Sequence, residues 1–264
     1  MKGVHRNHFI PCLLYHSLSA ETGKNVYTVS EFDFNAQLEF LSHRGYQAIT
    51  VEDYLDLRRQ GGTSYQFVLL TFDDGTKSDY DLALPLLKKY GYKATFFIIA
   101  GRVGQTGRLS WQNLKEMKSA GMSIQSHTFS HRILSGLSAE EIFIELSESK
   151  KVIESEIGPR VCHLSLPFGF GSEAIQTAAR QIGYRAIWTS RFGVNRPNGN
   201  PLSLKRNVVR DGLTLKDFTN ILQPNLIIIQ KELVAEAARV ALKNTFGTNR
   251  YIRLKNFFFR GSGV

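Results

Sequence analysis

Cysteine and long apolar runs are both scarce in this sequence. Its 264 residues include two cysteines, Cys12 and Cys162, which are too few for a disulfide framework and are interpreted as packing residues. No stretch reaches the roughly 20 apolar residues that a membrane span requires. The apolar stretch at residues 9–15 is too short for the core of a signal peptide and contains Pro11. We therefore expect a cytoplasmic protein with neither an export signal nor a transmembrane helix.

Acidic residues are in deficit, with 23 against 33 lysines and arginines, so the formal net charge is +10. This surplus suits an anionic partner such as an acidic glycan, lipid headgroups or nucleic acid, although a basic surface without a dedicated partner would look the same. No acidic residue follows Glu236, and an apolar stripe over residues 225–243 predicts an amphipathic helix. Either peripheral membrane contact or packing against the main domain would account for this basic tail.

Two recurring signals mark the ends of the predicted helices. Glycine adopts the left-handed conformation without a Cβ clash, and four helical stretches end at Gly45, Gly91, Gly121 and Gly183. A hydroxyl residue three positions before a carboxyl approximates a capping box, and this pattern occurs at Ser30/Asp33, Thr50/Asp53, Ser138/Glu141 and Thr214/Asp217. The intervening strands are short and apolar on both faces, which is typical of parallel strands covered by helices.

The order of these segments predicts the fold class and the domain organisation. About seven strand–helix units favour an α/β protein with a (β/α)7-8 barrel, and an open doubly wound sheet is the alternative. No low-complexity linker splits the chain. The shift in composition near the end divides it into a barrel domain at residues 1–222 and a C-terminal helix with a basic tail at residues 223–264.

Two adjacent acids, Asp73 and Asp74, follow an apolar strand that begins at Phe67, and Gly75 comes next. Barrel enzymes place their catalytic groups at such strand ends, and a turn alone does not explain a doubled acid there. Adjacent side chains on extended backbone point in opposite directions. The two carboxylates are therefore expected to have different roles.

Two histidines, His127 and His131, follow another predicted strand. If this stretch is a helical turn, their spacing places both side chains on one face. Two histidines and an aspartate from another strand end form a three-ligand set that leaves a coordination position open for water. A third motif, the turn Pro167-Phe168-Gly169, follows a further short strand.

In this order, the aspartate pair, the two-histidine segment and Pro167-Phe168-Gly169 resemble the motifs of the polysaccharide deacetylases of carbohydrate esterase family 4. The opening Leu14-Tyr15-His16 is similar to the start of the branch that acts on poly-N-acetylglucosamine. The resemblance covers roughly residues 9–222. It implies a deformed (β/α)7-8 barrel that removes acetyl groups from an N-acetylated polysaccharide or a lipid-linked sugar precursor.

The resemblance also implies a role for each motif residue. Asp74, His127 and His131 would bind a divalent metal ion, Asp73 would be the general base, and the backbone N–H of Phe168 would stabilise the oxyanion. Zinc is the expected ion, and cobalt, nickel or iron suit the same ligands. The expected partner is an N-acetylated glycan and not a nucleic acid. The sequence does not indicate an oligomeric state.

Two positions depart from the family pattern. Ser165 stands where many members have an arginine, and Arg206 stands where many have a histidine that acts as the general acid. Arginine does not release its proton near neutral pH, so His16, or Asp73 returning the proton it accepted, is the expected donor. Arg206 could instead supply positive charge beside Asp73. A catalytically impaired barrel that only binds glycan, or an amidohydrolase acting on a small amide, is the alternative function.

Overall fold

The computed structural model describes residues 9–21, 25–59, 66–158 and 160–224, and seven positions between 227 and 237. Ten strands and seven α-helices are found within these residues. The strands are β1 Cys12–Tyr15, β2 Ser17–Ser19, β3 Thr28–Ser30, β4 Gln47–Ile49, β5 Phe67–Asp73, β6 Thr95–Ile98, β7 Ser123–Ser126, β8 His163–Ser165, β9 Ala186–Trp188 and β10 Asn207–Val208. The helices are α1 Glu31–His43, α2 Val51–Arg59, α3 Leu84–Lys89, α4 Trp111–Ser119, α5 Ala139–Ile157, α6 Glu173–Ile182 and α7 Leu215–Leu222.

Eight of the described strands form one parallel sheet in the order β10-β1-β5-β6-β7-β8-β9, with β4 beside the first half of β5. Leu204 pairs with Trp188 at the end of β9. Strand β10 begins shortly after Leu204 and pairs with β1. Residues 204–208 therefore join the two sides of the sheet. The predicted deformed (β/α) barrel is confirmed, and the alternative of an open doubly wound sheet is wrong.

The predicted capping signals act at the helix ends. Four backbone N–H groups donate to a hydroxyl three residues earlier at 3.0–3.3 Å, and the acceptors are Ser30, Thr50, Ser138 and Thr214. The four predicted terminal glycines have φ angles between 65° and 94°. These local interactions fix where each helix begins and ends, and hence where each strand can start.

Side chains alternate along the barrel strands between an outer and an inner hydrophobic cluster. Leu70 and Phe96 pack outward against the helices. Their neighbours Leu69 and Phe97 pack inward with Trp188 and with side chains of α2. This alternation decides which residues at the strand ends face the barrel interior.

Most of the predicted C-terminal helix at residues 225–243 and all of the tail beyond it lie outside the described residues, although the described positions between 227 and 237 are helical. The division between residues 1–222 and 223–264 stays a prediction, as does membrane contact through the tail. None of the helices in the described ranges combines the length and the hydrophobicity that crossing a bilayer requires. Both cysteines are free, and burial raises the pKa of the Cys12 thiol to about 12.

Candidate active site

Polar side chains occupy the barrel interior at the carboxyl ends of the strands. Asp73 is in register with the inward-facing Phe97, and Ser165 is in register with the inward-facing Trp188. His127 follows β7 two positions after Gln125, the partner of Phe97. All of these polar side chains are buried. The alternation of side chains along the strands therefore directs residues from separate motifs into one cavity.

Asp74 reaches the two histidines because the chain turns at this residue. Its φ of +81° ends the extended backbone, and its Oδ1 lies 3.4 Å from Nε2 of His127 and 3.4 Å from Nε2 of His131. This buried oxygen has no hydrogen-bond partner among the described residues. Ligands held tetrahedrally at about 2.1 Å from an ion are separated by about 3.4 Å, so the cluster fits a zinc-like ion.

The orientation and charge of the histidines also suit a metal ion. Nδ1 of His127 donates to the backbone oxygen of Ser165 at 2.9 Å, which leaves the Nε2 lone pair facing Asp74. Burial opposes protonation of His127, but Asp73 and Asp74 outweigh it and raise the pKa of this ring. Burial and the nearby His127 lower the pKa of His131 to about 4, so His131 is neutral at pH 7. The carboxylates thus favour positive charge between the two rings.

Residues 127–131 do not form the helical turn that their spacing suggested. Thr128 and His131 have φ angles of +64° and +66°, a left-handed conformation that is incompatible with a right-handed helix. The Thr128 hydroxyl accepts a hydrogen bond from the His131 backbone N–H at 3.1 Å. The centroids of the rings of His127 and His131 are 4.9 Å apart, so loop geometry and not helical periodicity brings them together.

Asp73 is held by the fully buried Arg206 in the absence of an arginine at position 165. The guanidinium donates to Oδ1 at 2.7 Å and to Oδ2 at 2.8 Å. The Ser165 hydroxyl donates to Oδ2 at 2.9 Å and accepts from Arg206 at 2.7 Å. Burial opposes ionisation of Asp73, but Arg206 and His127 outweigh it and lower the pKa of this carboxyl. Arg206 therefore supplies positive charge beside Asp73.

His16 directly follows β1, and the alternation of side chains along this strand places it on the same inward face as Cys12. Its Nδ1 is buried and has no hydrogen-bond partner within the described ranges, and its ring centroid lies 5.1 Å from that of Tyr27. Burial lowers the pKa of His16, while Asp73 and Asp74 act in the opposite direction. His16 thus interacts electrostatically with the carboxylates of the site. The role of His16 as a proton donor stays a prediction.

Phe168 lies on a tight turn that borders the histidines. Its φ is +60°, and the next residue, Gly169, has a φ of +74°. A Cβ at Gly169 would lie 2.1 Å from the Ser190 hydroxyl oxygen, so this close approach requires glycine. The half-exposed Phe168 ring lies with its centroid 5.2 Å from that of His131. The role of the Phe168 backbone stays a prediction.

The sequence analysis missed Glu145 on α5. Its carboxylate accepts a hydrogen bond from the backbone N–H of Ser130, next to His131, at 2.9 Å. Glu145 is buried on the same side of the helix as Ile142 and Leu146. An acid within an apolar helical stripe is unusual, and this is the signal that could have revealed it.

Comparison with known proteins places these residues in one family. A family model described as polysaccharide deacetylase matches residues 60–187. YxkH of Bacillus subtilis (strain 168), assigned to the polysaccharide deacetylases, is 34% identical over 210 residues, which cover 79% of this chain and 74% of YxkH. A poly-beta-1,6-N-acetyl-D-glucosamine N-deacetylase of Staphylococcus aureus (strain MRSA252) is 26% identical over 222 residues, which cover 79% of this chain and 76% of that protein.

A solved structure extends the similarity to three dimensions. The Streptococcus pyogenes deacetylase PplD, in complex with acetate, superposes with a TM-score of 0.78 at 27% identity. The match covers 82% of this chain and 99% of PplD. The family model spans Asp73, Asp74, His127 and His131 but ends before Arg206.

Replacing Arg206 by Met should lower the free energy of unfolding by about 3–5 kcal/mol at pH 7, because Asp73 would remain buried without its partner. The pKa of Asp73 is lowered in the folded protein, so this stabilisation is present above the ordinary aspartate pKa and is lost as the pH falls through the lowered value. The deficit of Arg206→Met should therefore shrink in acid. Urea unfolding at several pH values measures both effects.

The control is Arg132→Met, which breaks an exposed ion pair with Glu141 at 2.9 Å. Such a surface pair contributes about 0–1 kcal/mol. If Arg206→Met cost no more than this control, the buried pair would not have the importance assigned to it.

Proposed function

Because this chain belongs to the polysaccharide deacetylase family, we propose that it removes acetyl groups from an N-acetylated glycan with a divalent metal ion bound by Asp74, His127 and His131. Members of this family are carbohydrate esterases and deacetylases that act on N-acetyl amide bonds, and the chain is a hydrolase of that class. One observation carries the proposal: the three-ligand cluster lies directly beside an ionised, buried Asp73.

The proposed metal site rests on the donor set and its geometry. The ligand atoms of Asp74, His127 and His131 lie within 4.8 Å of one another. When bound, a divalent ion polarises the acetamide carbonyl and brings the pKa of bound water to about 7. Zinc is the proposed ion, and cobalt, nickel or iron would suit the same two nitrogens and one carboxylate oxygen.

Asp73 is the proposed general base. Arg206 and Ser165 keep its carboxylate ionised and fixed in orientation, so it is ready to accept a proton from the attacking water. A carboxylate has about four lone-pair sites, and the three hydrogen bonds from these two residues leave capacity for that proton. Its Oδ2 lies 3.9 Å from Nε2 of His127, which places the base next to the proposed ion.

The proposed oxyanion donor is the backbone N–H of Phe168. Negative charge develops on the carbonyl oxygen when water adds to the acetamide, and a fixed N–H donor stabilises it without reorganisation. The turn that includes Gly169 borders the proposed metal site, since the centroid of the Phe168 ring lies 5.2 Å from that of His131. The proposal therefore assigns to the turn an electrostatic role and not a merely structural one.

The departing amine needs a proton, and Arg206 is not its source because it stays protonated in its pair with Asp73. His16 is the proposed donor, since its buried Nδ1 has no partner among the described residues. Burial lowers the pKa of this ring, and Asp73 and Asp74 act against that shift by favouring the protonated form from which the imidazole can donate. Asp73 returning the proton it accepted is the alternative. The two candidates predict different values of kcat for a variant that lacks the His16 imidazole.

A polymer of N-acetylglucosamine, or its lipid-linked precursor, is the proposed substrate class. The Staphylococcus aureus relative acts, by its name, on poly-beta-1,6-N-acetyl-D-glucosamine. A barrel that only binds glycan is less well supported, because Arg206 supplies the charge that Ser165 lacks.

Purified protein should release acetate from an N-acetylated glycan only when a metal ion is bound. Chelation should abolish acetate release, and added zinc should restore it, because without an ion the carbonyl is not activated. Elemental analysis of the protein and an enzymatic acetate assay, on glycans that include poly-beta-1,6-N-acetyl-D-glucosamine, measure both. Equal acetate release by metal-free protein would sink the proposed mechanism.

Asp73→Asn should leave the metal bound and reduce acetate release by about 10²–10⁴-fold, because the proton acceptor is removed. Metal content and kcat are measured on the same preparation, at a temperature where thermal unfolding shows that the variant is folded. The control is Asp33→Asn, which alters a carboxylate at the start of α1. Wild-type kcat in Asp73→Asn would assign the base to another group.

His16→Ala should lower kcat by about 10²–10⁴-fold with unchanged metal content, because the amine would leave without its proton donor. His43→Ala, an exposed histidine in the last turn of α1, is the matched control and should keep wild-type kcat. Full activity in His16→Ala would favour Asp73 as the group that returns the proton.

A further inference from the structure

The loop at residues 128–131 carries a proposed metal ligand but has no regular secondary structure. Two of its backbone N–H groups are satisfied by Glu145 of α5. The buried carboxylate accepts from the N–H of Phe129 at 3.2 Å and from that of Ser130 at 2.9 Å. It also accepts from the Ser130 hydroxyl. One acid of α5 therefore holds three donors of a loop that itself belongs to neither a strand nor a helix.

Three carbonyl groups of the same loop are satisfied by a second segment, residues 100–102. The N–H of residue 100 donates to the Thr128 oxygen at 3.2 Å, and the N–H of Gly101 donates to the Phe129 oxygen at 2.8 Å. The side chain of residue 102 donates to the Ser130 oxygen at 3.3 Å. A Cβ at Gly101 would lie 2.8 Å from the Phe129 oxygen, so this contact leaves no room for a side chain at position 101.

This double attachment stabilises backbone conformations that are otherwise unfavourable. Thr128 and His131 are both left-handed, a conformation that is costly for residues other than glycine and that persists only where the surroundings fix it. We propose that Glu145 is a positioning residue of the metal centre, which acts through the loop to place His131 opposite Asp74. This inference rests on the proposed function, because it takes His131 to be a metal ligand.

The test measures zinc affinity by competition with a chelator of known affinity and needs no substrate. Loss of a group that orients a metal ligand typically weakens binding by about 10–100-fold. Glu145→Ala should reach the upper end of this range, since three loop donors lose their acceptor. Glu145→Gln has the native size and should lie near the lower end, and it keeps the test decisive if Glu145→Ala does not fold.

Glu154→Ala is the matched control on the same helix. Its carboxylate accepts from Lys150 at 2.7 Å and from the backbone N–H of Val161 at 3.0 Å, before the start of β8 and away from the metal ligands. This variant loses equivalent hydrogen bonds, so it should lose stability but keep wild-type zinc affinity. An equal loss of affinity in Glu154→Ala would overturn the inference, because general destabilisation would then explain both variants.

A double-mutant cycle with His131→Ala separates positioning from simple charge. If Glu145 acts through His131, Glu145→Gln should cause no further loss of zinc affinity in the His131→Ala background. A loss of the same size in both backgrounds would reveal a direct electrostatic effect and overturn the inference, as would wild-type affinity in Glu145→Gln. Failure of the unaltered protein to bind zinc would instead contradict the proposed function.

Discussion

The buried ion pair between Arg206 and Asp73 links the closure of the barrel to the geometry of the site. A guanidinium without exposed surface needs acceptors on every side, because an unpaired buried charge is strongly destabilising. Asp73 supplies two of them, and Ser165 and the Thr189 carbonyl supply others. Arg206 lies just before β10, on the segment that links β9 at one edge of the sheet to β1 at the other side. Asp73 ends β5, in the middle of the sheet. Closure and the orientation of Asp73 therefore depend on each other.

The barrel interior changes in character from one end to the other. Leu69 and Phe97 belong to an apolar cluster, whereas Asp73 lies at the polar mouth. Between these layers, His163 accepts a hydrogen bond from Trp188 at 3.2 Å, and burial lowers its pKa to about 3. His163 is thus a neutral packing residue. Proximity to carboxylates, and not burial alone, distinguishes the histidines of the site.

Left-handed backbone is concentrated at the site. Among the described non-glycine residues with positive φ, Asp74, Thr128, His131 and Phe168 line the site, and Arg160 alone lies elsewhere. Such conformations persist where the surroundings fix them. At residues 128–131 these surroundings are hydrogen bonds from α5 and from the turn after β6. The strands bring the motifs together, and these strained residues then redirect the side chains toward one point.

Local sequence signals determined much of the fold and part of the site. The hydroxyl caps, the terminal glycines and the apolar strands predicted the barrel, because each depends on interactions within a few residues. The same short-range reasoning identified Asp73, Asp74, His127 and His131, whose spacing is visible in the sequence.

Tertiary structure decided the remainder of the site. It replaced the expected helical turn at residues 127–131 by a left-handed loop, because contacts from other elements outweigh local spacing there. It also paired Arg206 with Asp73, 133 positions away in the sequence. That pairing forms only when β10 meets β1, so the sequence could suggest positive charge from Arg206 beside Asp73, but barrel closure brought the two side chains together.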